Sequence, residues 1–272
     1  MDIELFLKRI GLTSLPDSPL MRLRILHKAM TQVVPFENIA ILEGKKINLA
    51  PTAIFAKVVE QGRGGYCYEL NTLLAEVLES LGYKVERLLG RVWVNGAPSP
   101  PLSHMTLRVM VDNHLYLCDV GFGGGTIREP IPWIFGAIVN QPPDSFRLDK
   151  TDNQEIMLSA LTGSTWKNLY SLLPCPVRTQ DYIPANHYSS THPDSYFTQG
   201  PVAALTTEDG RITLRGRLLR KTGVCGESER NVTTFEEFIQ ILKEDFGLNN
   251  LDLPPLKKRL WGLFENTRRE HG

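Results

Sequence analysis

Arg63-Gly64-Gly65-Tyr66-Cys67-Tyr68-Glu69-Leu70-Asn71 joins a glycine turn to the most regular helical pattern in the chain. Beyond it Leu70, Leu73, Leu74, Val77, Leu78 and Leu81 recur at the i, i+3, i+4, i+7, i+8, i+11 spacing of one helix face, and Gly82 closes the segment. Cys67 therefore falls in or next to the first turn of a helix. Unpaired backbone N–H groups and the positive end of the helix dipole favour a thiolate there. A small buried residue beside a tight turn would also suit a cysteine, so position alone leaves both roles open.

Upstream the chain reads helical. Ile3, Phe6, Leu7 and Ile10 form one stripe that ends at Gly11. Ser18-Pro19 supplies an N-cap and a first-turn proline before Leu20, Leu23, Leu26, His27 and Met30, and Pro51 starts a further short helix stopped by Gly62. From Tyr83 the period changes. Residues 85–88 and 91–94 read as strands on either side of Gly90, and residues 105–111 and 115–120 as a hairpin closed near Asp112-Asn113. Further strand-like runs at 145–148 and 166–172 predict an antiparallel barrel or sandwich. The turn-rich stretch 181–198 reads as a linker. Residues 202–205 and 211–214 flank Glu208-Asp209-Gly210 as another hairpin, and Thr234 to Glu237 is a capping box that opens a helix. Pro254-Pro255 is expected to break the chain before a last short helix. The fold class is α+β.

His104 and Asp119 lie near the outer ends of the hairpin. With Asp112-Asn113 as a two-residue turn, Thr106 pairs with Asp119 and His104 stands on the diagonal, about 7 Å away or less on the same face. A carboxylate so placed orients an imidazole and stabilises its charged form, as a cysteine nucleophile requires. Cys118 has the opposite parity and reads as core. Gly121-Phe122-Gly123-Gly124-Gly125 follows directly, and glycines there let backbone N–H groups approach phosphate oxygens, Gly123 and Gly124 being the candidate contacts. Arg211, Arg215, Arg217, Arg220 and Lys221 form a basic cluster, either a solvated face or a rim for phosphate. The triad alone is equally compatible with a thiol peptidase, a transglutaminase or a binding module that retains an inert triad.

Composition narrows the classes. The 272 residues are 42% hydrophobic and 22% charged with zero formal net charge, which speaks against a protein held on nucleic acid by its overall field. The four cysteines are scattered with no CxxC pair, so no metal site is expected. Asp2, Glu4, Lys8 and Arg9 interrupt the apolar N-terminus, which rules out a signal-peptide core, and no apolar run is long enough to span a bilayer. A cytoplasmic protein with reduced thiols and no membrane partner is expected, and the Asn231-Val232-Thr233 sequon is read as accidental.

Taken together, these residues resemble the arylamine N-acetyltransferases. The family hallmark RGGxCxELN runs through Arg63 to Asn71, its histidine segment is His104-Met105, and its D-V-G-F-G is Asp119 to Gly123. Val34 to Ile39 resembles its P-F-E-N element, and Asn186 to Pro193 its N-x-Y-x-S-T-H-P stretch. The resemblance implies a helical bundle (1–84) carrying the nucleophile, a β-barrel (85–190) carrying His104 and Asp119, and an α/β lid (191–272). It also implies ping-pong transfer through Cys67 from acetyl-CoA, a co-substrate rather than a resident cofactor, to arylamines, arylhydrazines or N-hydroxyarylamines. Phe36 and Phe122 would line the acceptor pocket. An amide synthase of the same fold, releasing an acyl chain from a carrier protein, would use the same chemistry at Cys67.

Overall fold

The computed structural model describes residues 1–99 and 101–265. Helix α1 (Ile3–Arg9) is capped by Asp2, whose carboxylate accepts the Leu5 N–H at 2.9 Å, and α2 (Pro19–Val33) by Ser18 with Pro19 in its first turn. The chain then extends as β1 (Phe36–Glu37), turns through α3 (Ile39–Leu42) and re-enters helix at α4 (Pro51–Phe55), which continues as a π-turn over Ala56–Glu60. Gly62, at φ +68°, ends that helical run. Helix α5 (Cys67–Ser80) follows. An isolated helix of this length is marginal in water. The burial of Leu70, Leu73, Leu74, Val77 and Leu78 against α4 and the barrel, at about 2 kcal/mol per side chain, is what fixes it, and with it Cys67.

Strand β2 (Lys84–Val94) is continuous where two strands were expected around Gly90. A Cβ at Gly90 would stand 2.7 Å from the Ser171 carbonyl oxygen, so this glycine admits a neighbouring backbone and does not mark a break. β2 carries the small β3 (Ala97–Pro98) and pairs with β4 (His104–Val111), which turns into β5 (His114–Cys118) through Asp112-Asn113. Both turn residues have positive φ, +47° and +63°, the backbone of a type I′ hairpin, and Val111 stands opposite His114. With β6 (Ile131–Pro132), β7 (Ile138–Gln141), β8 (Asp144–Lys150), β9 (Ile156–Thr162) and β10 (Thr165–Leu172) the order is β6-β5-β4-β2-β10-β9-β8-β7. All these pairings are antiparallel, and the sheet curls into a nearly closed barrel around Leu88, Leu117, Phe146, Leu148, Leu158 and Tyr170. Of barrel and sandwich, the chain forms the barrel.

The stretch 181–198 is not a linker. Most of it folds as α6 (Tyr182–Thr191) and α7 (Tyr196–Gln199). No apolar period announced α6 because the residues it buries are Tyr182, Asn186 and Ser189, and Tyr66 donates its hydroxyl to Asn186 Oδ1. A second sheet runs β1-β11-β12-β13-β14, with β11 (Val202–Thr206), β12 (Gly210–Arg215), β13 (Leu218–Gly223) and β14 (Gly226–Asn231). Phe36 of β1 pairs with Ala204, so the N-terminal segment supplies a strand to this sheet, and Ile39 and Leu42 of α3 enter its core. Helix α8 (Phe235–Glu244) starts as expected: Thr234 Oγ1 accepts the Glu237 N–H at 3.1 Å, and Glu237 accepts the Thr233 N–H at 2.8 Å. Pro254 and Pro255 lie in the first turn of α9 (Leu253–Glu265), where a missing N–H costs nothing, so they open this helix rather than break the chain before it. Among the described residues no helix is long and apolar enough to cross a membrane.

Candidate active site

The loop ahead of α5 is fixed on every side. Gly65 exchanges backbone hydrogen bonds with the β1 segment, accepting the Glu37 N–H at 2.8 Å and donating to the Pro35 carbonyl at 3.3 Å. A Cβ on Gly64 would lie 2.1 Å from that same carbonyl, which leaves only glycine. Arg63 reaches both oxygens of Glu43 at 3.2 Å, while Glu69 accepts the Tyr66 N–H at 3.2 Å and pairs with Lys57 at 2.7 Å. Cys67 thus occupies the first position of α5, where its N–H has no intrahelical partner.

His104 opens β4, and Asp119 lies one residue past the end of β5. Their side chains meet, His104 Nε2 to Asp119 Oδ2, at 2.7 Å. The other carboxylate oxygen accepts from Asn71 Nδ2 and from the Gly121 N–H, each at 2.9 Å. Asn71 sits one turn along α5 from Cys67 and also binds the Met105 carbonyl at 2.7 Å and the Val120 N–H at 3.0 Å, so a single amide locks α5 to both strand ends. Cys67, His104 and Asp119 are each no more than 2% exposed. Burial alone would lower the His104 pKa. The Asp119 charge, its hydrogen bond and the contact with Cys67 outweigh this and raise it to about 10. Burial likewise works to raise Asp119, but imidazolium and the Asn71 and Gly121 donors hold it below the ordinary carboxylate range. With Nε2 committed to Asp119, Nδ1 is the nitrogen left for Cys67.

A family model described as N-acetyltransferase matches residues 19–253. An arylamine N-acetyltransferase of Mycolicibacterium smegmatis is 40% identical over 265 residues, 95% of this chain and 95% of that one. The chain belongs to the arylamine N-acetyltransferase family. The solved M. smegmatis arylamine N-acetyltransferase superposes with a TM-score of 0.90 at 35% identity, covering 96% of this chain and 97% of that one. The Mycobacterium marinum arylamine N-acetyltransferase, solved in complex with CoA, gives 0.90 at 33% identity over 97% and 100%. The expected α+β fold is the fold of this family, and the protein is an enzyme, an acyltransferase.

Cys67 and His104 line a cleft of about 440 Å³ between the barrel, the helices and the β11–β12 sheet. Phe36, Phe122 and Phe197 wall it, and Gly121, Gly123 and Gly124 line one side. Phe122 also packs edge-on against His104 with ring centroids 5.0 Å apart, and Tyr170 lies 4.6 Å from the same imidazole. A second groove of about 560 Å³ beside Ile41, Ser190 and Arg259 holds none of Cys67, His104 and Asp119. Most of the basic cluster is spent structurally. Arg211 ties β12 to the Gly124 carbonyl and Asp144, Arg220 pairs with Glu227 and Glu229, Lys221 with Asp245, and Arg217 donates to the Val232 carbonyl. Arg215 alone of the five lines the cleft, its guanidinium 4.9 Å from the Tyr196 ring centre. Cys118 lies in the core, its thiol pushed up by burial and then by Asp119.

Sequence reasoning placed Cys67, His104 and Asp119 together but assigned no role to Asn71 or Tyr170. Asn71 stood inside the quoted motif as a polar residue next to an apolar helix face, which was the available signal. Tyr170 gave none, being one aromatic in a strand-like run. Gly121 is a third residue of this kind. A Cβ there would stand 2.7 Å from Cys67 Cα and 3.0 Å from Asn71 Nδ2, so the loop backbone rests directly on Cys67. Gly121→Ala is expected to lose about 1–3 kcal/mol of stability in urea melts through overpacking. It should also lose about 10²-fold in kcat/KM, the scale of an ångström-sized misplacement. Native activity in a folded Gly121→Ala enzyme would show that this contact does not set the triad geometry.

Proposed function

We propose that Cys67, His104 and Asp119 are the catalytic triad of an acetyl-CoA-dependent N-acetyltransferase acting by a ping-pong mechanism on arylamines, arylhydrazines or N-hydroxyarylamines. The observation that carries this reading is the buried 2.7 Å His104–Asp119 pair beside a cysteine at the first position of α5, with Cys67 and His104 lining one cleft. The Cys67 thiolate, paired with protonated His104, attacks the thioester carbonyl. First-turn N–H groups of α5 stabilise the oxyanion, the C–S bond to CoA breaks, and the departing thiolate takes the proton from His104. The acceptor nitrogen then attacks the acetyl-enzyme while His104, now neutral, takes its proton, and the Cys67 thiolate is released. Asp119 holds the ring throughout.

The same cleft serves both substrates in turn. Gly123 and Gly124 present backbone to a donor rich in phosphate oxygens, Arg215 adds a positive charge at the wall, and Phe36 and Phe122 offer flat apolar surfaces to an aromatic acceptor. The CoA complex of the M. marinum relative supports the choice of donor. Intact mass after mixing with acetyl-CoA and no acceptor is the test. One acetyl group should appear, on Cys67, and adding aniline should discharge it as acetanilide. Absence of the adduct, with acylation by a carrier-bound long chain instead, would replace this reading with the amide synthase.

A further inference from the structure

His27 lies on the inward face of α2, fully buried, and takes no part in the chemistry above. Both of its ring nitrogens are bonded to the glycine-rich segment 119–128. Nε2 accepts the Asp119 N–H at 3.0 Å, and Nδ1 lies 3.2 Å from the Arg128 carbonyl oxygen. A backbone N–H only donates and a carbonyl only accepts, so the tautomer is dictated: Nε2 bare, Nδ1 protonated. Burial pushes the pKa down to about 4 against weaker upward pulls from the Arg128 carbonyl and Asp119, which keeps the ring neutral at physiological pH.

The segment held in this way needs a brace. It contains Gly121, Gly123, Gly124 and Gly125, and at its far end the Arg128 guanidinium donates to the carbonyls of Thr207 at 2.6 Å and Glu208 at 2.8 Å. Asn71 and the Gly121 N–H orient the head of the Asp119 carboxylate. Its backbone is held by His27. We propose that His27 is a positioning residue for acyl transfer, a rigid neutral bracket that joins the two ends of the glycine-rich loop and sets the Asp119 carboxylate against His104. The inference rests on the triad reading of Cys67, His104 and Asp119. Without the imidazole, a buried N–H and a buried C=O lose their partners, and the loop satisfies them by shifting backbone. Asp119 moves with it.

The test uses His27→Leu, which offers neither bond, and His27→Gln, whose amide oxygen and N–H can replace both. With acetyl-CoA and aniline, His27→Leu should lose about 10²-fold in kcat/KM, mainly in kcat, while His27→Gln recovers most of it. A merely structural role would not move the pH profile of Cys67 alkylation by iodoacetamide. In wild type and His27→Gln the profiles should coincide; in folded His27→Leu alkylation at neutral pH should be slower. A folded His27→Leu with the wild-type profile overturns the proposal, as does a His27→Gln damaged just as badly. Should His27→Leu not fold, ¹⁵N spectra of the wild-type imidazoles decide. A neutral Nδ1–H ring between about pH 5 and 8 supports the bracket, and a charged or Nε2–H ring overturns it. Asp119→Asn run alongside separates the two readings. If its alkylation profile is unchanged, the triad itself falls and the bracket with it; if it shifts while His27→Leu does not, only the bracket falls.

Discussion

Cys67→Ser is expected to fold normally and to lose about 10⁴-fold or more of its acetyl transfer, the scale of removing a triad nucleophile. Serine suits the first turn of a helix, and the contacts that fix α5 come from Leu70, Leu73, Leu74, Val77 and Leu78, not from the sulfur. The chemistry fails because a hydroxyl supplies no accessible anion at neutral pH, so no ion pair with His104 forms. Steady-state kcat/KM with acetyl-CoA and aniline, together with the absence of acetyl-enzyme by intact mass, checks this. Retention of more than a few per cent of wild-type turnover would remove Cys67 from the nucleophile role.

The parts of this site that could be read in advance are those set by local chain geometry. Gly64-Gly65 before a regular apolar face put Cys67 at a helix start, and Asp112-Asn113 as a two-residue turn set the register that carries His104 to Asp119. What was misread is tertiary. Gly90 looked like a break because the Ser171 backbone that presses on it lies on a distant strand. Helix α6 buries the polar Asn186 and Ser189, Asn186 to meet Tyr66 far back in the chain, so its sequence shows no apolar stripe. Phe36 and Glu37 are too short a run to announce a strand, and only β11, far along the chain, makes them one. Asn71 and His27 act on residues 48 and 92 positions away, a distance over which no periodicity speaks. Spacing alone also left the reaction class open among several thiol chemistries. The motif set named the family, and likeness along the whole chain established it.

Asp119→Asn should keep the shape of the site and lose about 10⁴-fold in kcat, by the scale of the corresponding change in other triads. Asparagine can still accept from the Gly121 N–H, and its volume matches, so Asn71 and the loop keep their places. Two properties change at His104. With the charge gone, burial becomes the dominant influence on the imidazole and drives its pKa below the ordinary 6.5 instead of up to about 10. The ring is then neutral at neutral pH, and no imidazolium supports a thiolate on Cys67. If the amide N–H faces Nε2, that nitrogen must accept, and the remaining proton sits on Nδ1 facing Cys67, the wrong tautomer for a base. Linkage gives an independent readout. A histidine whose folded pKa is raised contributes stability in full below its unfolded value of 6.5 and loses it as pH rises toward about 10. Asp119, held low, contributes above its unfolded 3.8 and loses that as pH falls. Wild type should therefore exceed Asp119→Asn in thermal stability most clearly between those two unfolded values, with the gap narrowing as pH climbs past 6.5 toward 10. Near-normal activity, or a stability gap that stays constant across that climb, would mean that another group orients and charges His104.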